Sequence, residues 1–301
     1  VTKILLIHGI NNQGKSEEII RSSWGDALRK GAVAAGMSIP DDVTLHAAFY
    51  GDLLHEETES WGKSGPAVTP MGPDALDSDY VDDRIAELYI EYQRGNGISD
   101  AQVALALDPG DEPLSAKRMA KGVHKKWLKA IARALESILP DRGRAVARQF
   151  LRQASAYLQK PGLKARIDAK VREQLFDSLR TDEEVVVIGH SLGSVIAYDL
   201  LRRLHSVVGC RLLLTCGSPL GVNVVKVGIG PPLRCLPNVK HWLNVSDEED
   251  FVALHPELTV KSFGCDQVHN MADVDNGVED AHDVLRYLAH PAVFRELRKA
   301  L

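Results

Sequence analysis

Residues 185–197 read VVVIGHSLGSVIA, and this stretch constrains the chain more than any other. Four apolar residues of strand type run into Gly189-His190-Ser191-Leu192-Gly193, and an amphipathic helical pattern follows. A G-x-S-x-G pentad between a strand and a helix makes a sharp turn with the serine at its apex, and glycines on both sides keep side chains out of neighbouring backbone. Ser191 is thereby expected at the carboxyl end of a strand and at a helix N-terminus, where the helix dipole favours developing negative charge. The bland alternative is a Gly-Ser cap opening an ordinary strand-to-helix turn.

Further apolar runs occur at 3–8, 43–50, 211–216, 239–245 and 258–265. Val, Ile and Leu fill them almost without alternation, as expected of strands buried on both faces. Helical patterns follow several of them, at 17–35, 192–207 and 281–289. Such alternation predicts an α/β fold with a mostly parallel sheet flanked by helices.

About 130 residues separate the second run from the third, far more than one connection needs. The first part, 51–80, is rich in Gly, Pro, Ser and acids and reads as a long loop. The second is helical: Met119, Val123, Trp127, Ile131 and Leu135 recur at four-residue steps, as do Val146, Phe150, Ala154 and Leu158, with a break at Leu139-Pro140-Asp141. The expected organisation is a core of residues 1–55 and 180–301, with 56–179 inserted as a loop and helical cap.

The insertion is electrically lopsided. Residues 41–113 carry many carboxylates and only Lys63, Arg84 and Arg94 as cations, whereas 115–166 are strongly basic. A solvated face pairing with the acidic half explains this; peripheral contact between the basic helices and an anionic membrane or lipid is the sharper explanation. The net charge of −5 argues against a nucleic-acid partner. No apolar run approaches the roughly 20 residues that span a bilayer. Cys210, Cys216, Cys235 and Cys265 lack C-x-x-C spacing and sit in apolar settings, so reduced core cysteines and a cytoplasmic location are expected. Oligomeric state leaves no mark on the sequence.

A serine hydroxyl needs a base to take its proton and a carboxylate to orient that base. Residues 242–253, WLNVSDEEDFVA, place Asp247, Glu248, Glu249 and Asp250 just past a strand end. Asp250, followed by apolar Phe251-Val252-Ala253, is the first choice and Asp247 the second. For the base, His282 in AHDVLRYL is expected at a helix start, and His269 in the loop after the last strand competes. His190 reads as packing or gating, and His8 as a hydrogen-bonding residue behind the site. No histidine or cysteine cluster has metal-ligand spacing, and nothing calls for a cofactor.

Residues 3–16, KILLIHGINNQGKS, admit two readings. The second half, GINNQGKS, fits the phosphate-binding pattern G-x-x-x-x-G-K-[ST]. The first half, a strand ending in His8-Gly9, suits a loop supplying an oxyanion donor. The phosphate reading also requires a strand ending in Asp to hold a metal, and no run supplies one cleanly.

The segments LLIHGI, VVVIGHSLGS, LLLTCGSPLG, HWLNVSDEEDFVA and AHDVLRYL, in that order, resemble the α/β-hydrolase superfamily, particularly lipase- and esterase-like members with GHSLG turns. The resemblance covers residues 1–55 and 180–301. It implies Ser191 as nucleophile, Asp250 as acid and His282 as base, with Leu192 and Ile10 N–H as oxyanion hole, acting on a small-molecule or lipid ester. The chain departs from it in offering four acids for one role, and in carrying Phe251 where many relatives have Pro. Two alternatives stand beside this expectation: a nucleotide-binding protein using GINNQGKS, and a catalytically silent scaffold serving as a binding module.

Overall fold

A computed structural model describes residues 1–60, 83–108, 125–180 and 183–301. Six strands form one all-parallel sheet in the order β2-β1-β3-β4-β5-β6: β1 Thr2–Ile7, β2 Val43–Ala48, β3 Glu184–His190, β4 Gly209–Cys216, β5 Val239–Val245 and β6 Val268–Met271. β1 and β3 are buried almost throughout and supply both faces. Leu5, Ile7, Val185 and Val187 enter one core, and Ile4, Leu6, Val186 and Ile188 enter the other. This is why their sequences lack polar alternation. β2 departs from that expectation, since as an edge strand it exposes Thr44 and His46.

One face is covered by α1 (Glu17–Ala34), α11 (Val284–Ala289) and α12 (Pro291–Arg298). The other carries α7 (Pro161–Leu175) and α8 (Leu192–Arg203). Between β2 and β3 the chain also forms α2 (Gly51–Ser60), α3 (Asp83–Gly95), α4 (Asp100–Leu105), α5 (Lys125–Ser137) and α6 (Asp141–Gln159). Pro140 precedes α6 at its N-cap, so the break expected at 139–141 is where the chain turns. Met119 and Val123 lie outside the described residues. Trp127, Ile131, Leu135, Phe150 and Ala154 are buried, and the core runs without interruption from the sheet into α5 and α6. α9 (Asn223–Ile229) and α10 (Val260–Phe263) complete the helices of the carboxyl-terminal part.

Several expectations need correction. Of the stretch 51–80 read as loop, residues 51–60 are helical, with Tyr50 and Leu54 fully buried, and 61–80 lie outside the described residues. Residues 258–265 are not a strand: the Thr259–Ser262 capping box starts α10, and Gly264 at φ 78 ends it. The last strand is instead Val268–Met271, which places His269 within it. The final helical pattern begins at Val284, because Asp283 caps it through the Leu285 N–H; His282 lies in the turn before. The cysteines are not all reduced. Cys235 and Cys265 form a disulfide, their loops brought within 4.7 Å (Cα–Cα) by tertiary folding across 30 residues, which spacing does not reveal. Cys210 and Cys216 are free and buried. Among the described residues no helix is long and apolar enough to cross a membrane.

The strand order explains where a site belongs. From β1 the chain moves outward to β2 and then returns to place β3 on the other side of β1. The loops after β1 and β3 therefore leave in opposite directions and open a crevice at the carboxyl ends of the strands, where ligands bind in open parallel sheets.

Candidate active site

Ser191 occupies that crevice. It sits between β3 and α8 at φ 54 and ψ −129, a left-handed backbone that a non-glycine residue adopts only under local strain. The turn is held by the Ser191 N–H donating to Cys216 O at 3.0 Å and by Ser194 Oγ donating to Ser191 O at 2.6 Å. A Cβ on Gly193 would stand 2.1 Å from Ile7 O, so only glycine lets α8 approach β1 this closely. Gly9 has the same relation to the serine itself, because a Cβ there would lie 2.4 Å from Ser191 Cβ.

His282 and Asp250 meet beside Gly217, the residue after β4, where a Cβ would stand 2.6 Å from Asp250 Oδ2 and 3.0 Å from His282 Nδ1. His282 Nδ1 lies 2.8 Å from both carboxylate oxygens of Asp250. A carboxylate only accepts, so Nδ1 carries the proton and Nε2 presents its lone pair. Asp250 is further held by the Val252 N–H at 2.9 Å and the Tyr287 hydroxyl at 2.8 Å. Burial and the adjacent Asp250 charge push the Tyr287 phenol well above its ordinary range, so it stays a donor. Asp250 has a side chain with no exposure, and His282 retains 9%.

Two atoms in this constellation are left open. Ser191 Oγ and His282 Nε2 are both buried and without a hydrogen-bond partner among the described residues. Buried polar atoms are ordinarily satisfied; eight among the described residues are not, and these two belong to the serine turn and to the histidine paired with Asp250.

The other candidate acids and bases are placed differently. Asp247 Oδ1 accepts the Glu249 N–H of its own loop, and its Oδ2 accepts the Asn276 N–H of the loop after β6. Glu248 and Glu249 are exposed, and so is His269 on edge strand β6. His190 donates Nε2–H to the main-chain carbonyl of His282 at 2.9 Å, with the two rings 4.6 Å apart. Burial, followed by repulsion from His282, keeps His190 well below the usual histidine range and therefore neutral. Sequence reasoning missed Tyr287, because its contact with Asp250 spans 37 residues and leaves no mark in spacing.

The loop after β1 is closed by its own contacts. His8 is buried: Nδ1–H donates to Gly9 O at 2.7 Å and Nε2 accepts the Tyr50 N–H at 3.2 Å. Burial lowers its pKa to about 4. Asn12 Nδ2 binds the carbonyls of Gly9 and Ile10. The groups needed for phosphate are engaged internally: the Gly14 N–H donates to Asp52 at 2.9 Å, Lys15 Nζ to Asn12 Oδ1 at 2.9 Å, and Ser16 Oγ caps α1. Leu192 N–H belongs to the first turn of α8, whose amides have no intrahelical acceptor.

A cavity of about 380 Å³ is lined by Ile10, His190 and His282, with Trp24, Leu139 and Phe251 among its apolar walls. Among the described residues no group of three His, Cys, Asp or Glu side chains is arranged to hold a metal. Basic residues of the insertion are engaged in ion pairs, including Arg133–Asp108, Arg148–Glu136, Arg152–Glu59 and Arg142–Asp280. Comparison with protein-family models, curated proteins and solved structures gave no match.

Proposed function

We propose that this chain is a serine hydrolase of the α/β-hydrolase kind that cleaves carboxylic esters through Ser191, His282 and Asp250. The observation that carries the reading is the pair of open atoms: a strained serine hydroxyl, and a histidine nitrogen whose opposite ring nitrogen is fixed by a buried carboxylate. A silent scaffold has no physical need to hold both, since each buried orphan costs about 1–3 kcal/mol.

His282 Nε2 takes the Ser191 proton as Oγ attacks the ester carbonyl. The tetrahedral oxyanion is met by the N–H groups of Leu192 and Ile10, each worth roughly 3 kcal/mol in comparable sites. His282 returns its proton to the leaving alcohol, then activates the water that releases the acid. Asp250 keeps the imidazole in the required tautomer, and His190 and Tyr287 fix the two residues from behind.

α5 and α6 act as a cap over the crevice, with Leu139 and Pro140 at their junction forming part of the cavity wall. The largely apolar lining of the cavity, with Trp24, Leu139, Val146 and Phe251, favours an apolar acyl or alcohol group. The paired cations of the insertion weaken the case for an anionic membrane partner, and the engaged amides of Asn11, Gly14 and Lys15 weaken the nucleotide reading. The disulfide favours an oxidising compartment and removes the reduced-cysteine argument for the cytoplasm. Hydrolysis of a short p-nitrophenyl ester tests the proposal: Ser191→Ala and His282→Ala each abolish it, and full turnover by folded Ser191→Ala refutes it.

A further inference from the structure

Gln153 lies in the middle of α6, far from the crevice in sequence, and is 1% exposed. Its Oε1 accepts the Asn11 N–H at 3.1 Å, a contact that spans 142 residues. Asn11 stands at φ 58, one of two non-glycine residues with positive φ among the described residues; the other is Ser191. Asparagine enters the left-handed region more readily than other non-glycine residues, though still at a cost relative to glycine, and the surroundings decide whether it stays there.

The orientation of the Gln153 amide is fixed, because an N–H meets only an acceptor. Its Nε2 therefore faces away from Asn11, and there it is buried without a partner among the described residues. The neighbouring positions Phe150, Leu151, Ala154 and Ala156 are apolar and buried, and the buried polar neighbours Arg152 and Ser155 donate to the main-chain carbonyls of Thr58 and Leu151. A residue retained for stability alone would be apolar at 153, since the unpaired donor is a liability. What the amide supplies is its acceptor. On the other side of the same loop, Asn12 Nδ2 draws the carbonyls of Gly9 and Ile10 toward itself at 3.2 and 2.7 Å. The Ile10 N–H stands between these two restraints.

We infer that Gln153 is a positioning residue for the oxyanion hole: by clamping Asn11 in its left-handed conformation, the insertion fixes the direction of the Ile10 N–H. The inference rests on the serine-hydrolase reading of the site. It makes the insertion part of the catalytic apparatus as well as its cover.

Gln153→Met removes the acceptor at nearly constant length. It is expected to lower kcat about 10- to 100-fold with KM changed less than about twofold, because the misplaced donor acts on the transition state. Adding Asn11→Gly to it restores several-fold of kcat, since glycine takes the left-handed conformation without a clamp. A merely structural role predicts no such rescue. Unchanged kcat in folded Gln153→Met, or failure of Asn11→Gly to restore any, overturns the inference. If Gln153→Met does not fold, Gln153→Glu, which keeps an oxygen for Asn11, must retain kcat within about fivefold; a larger loss in the folded variant overturns it. Labelling of wild-type Ser191 by a fluorophosphonate separates the two levels: without it the hydrolase reading itself fails, and with it these variants judge Gln153 alone.

Discussion

His8 ties the loop after β1 to the pH dependence of stability. Its folded-state pKa of about 4 lies below the ordinary 6.5, chiefly because burial disfavours the charged ring. The unfolded chain therefore binds the proton first, and stability present above pH 6.5 is lost as pH falls from there toward 4. With those two values the loss from this group alone is about 2 kcal/mol at pH 5 and about 3 kcal/mol at pH 4. His190 is displaced in the same direction and adds to the slope. Urea unfolding of wild type and His8→Gln at pH 7 and pH 5 measures the effect. Glutamine does not titrate, so the variant should lose about 2 kcal/mol less than wild type between those pH values, whatever its stability at pH 7. Equal losses in the two proteins refute the reasoning, and with it the neutral, doubly bonded His8 that holds Gly9 and Tyr50 together.

Three further outcomes follow from the geometry. Asp250→Asn should lower kcat on the order of 10⁴-fold by favouring the wrong histidine tautomer, whereas Asp247→Asn should act through stability, by about 1–3 kcal/mol, because its oxygens bind loop amides; the reverse pattern in steady-state kinetics and denaturation contradicts the assignment. Replacing Cys235 and Cys265 by Ala should cost about 3–4 kcal/mol from the 30-residue closure, and equal denaturation midpoints contradict this. Across p-nitrophenyl esters, apolar acyl groups should give a higher kcat/KM than acyl groups of equal length that carry a charge; the reverse preference contradicts the apolar cavity as the acyl site.

The parts legible in the sequence are those whose physics is local. Apolar runs at 3–8, 185–189, 211–216 and 239–245 became strands because buried parallel strands leave an unbroken apolar signature. The Gly189–Gly193 turn was legible because its steric demand is written in two glycines. Asp250 and His282 could be nominated from their places after strands, but four acids competed, and only tertiary contact separates the one facing His282 from the one capping a loop. Residues 258–265 misled because an apolar run cannot distinguish a strand from a short capped helix. Tyr287, Gln153 and the Cys235–Cys265 pair act through partners 30 or more residues away, and spacing carries no record of such pairings.

The central claim is that Ser191 is an activated nucleophile. Treatment of the folded protein with a fluorophosphonate probe, followed by mass mapping of the adduct, tests it most directly. The account predicts a single adduct on Ser191, absent in Ser191→Ala and strongly slowed in His282→Ala. A wild-type protein that is folded yet unlabelled at Ser191, or one whose ATP turnover disappears in Lys15→Ala, contradicts it.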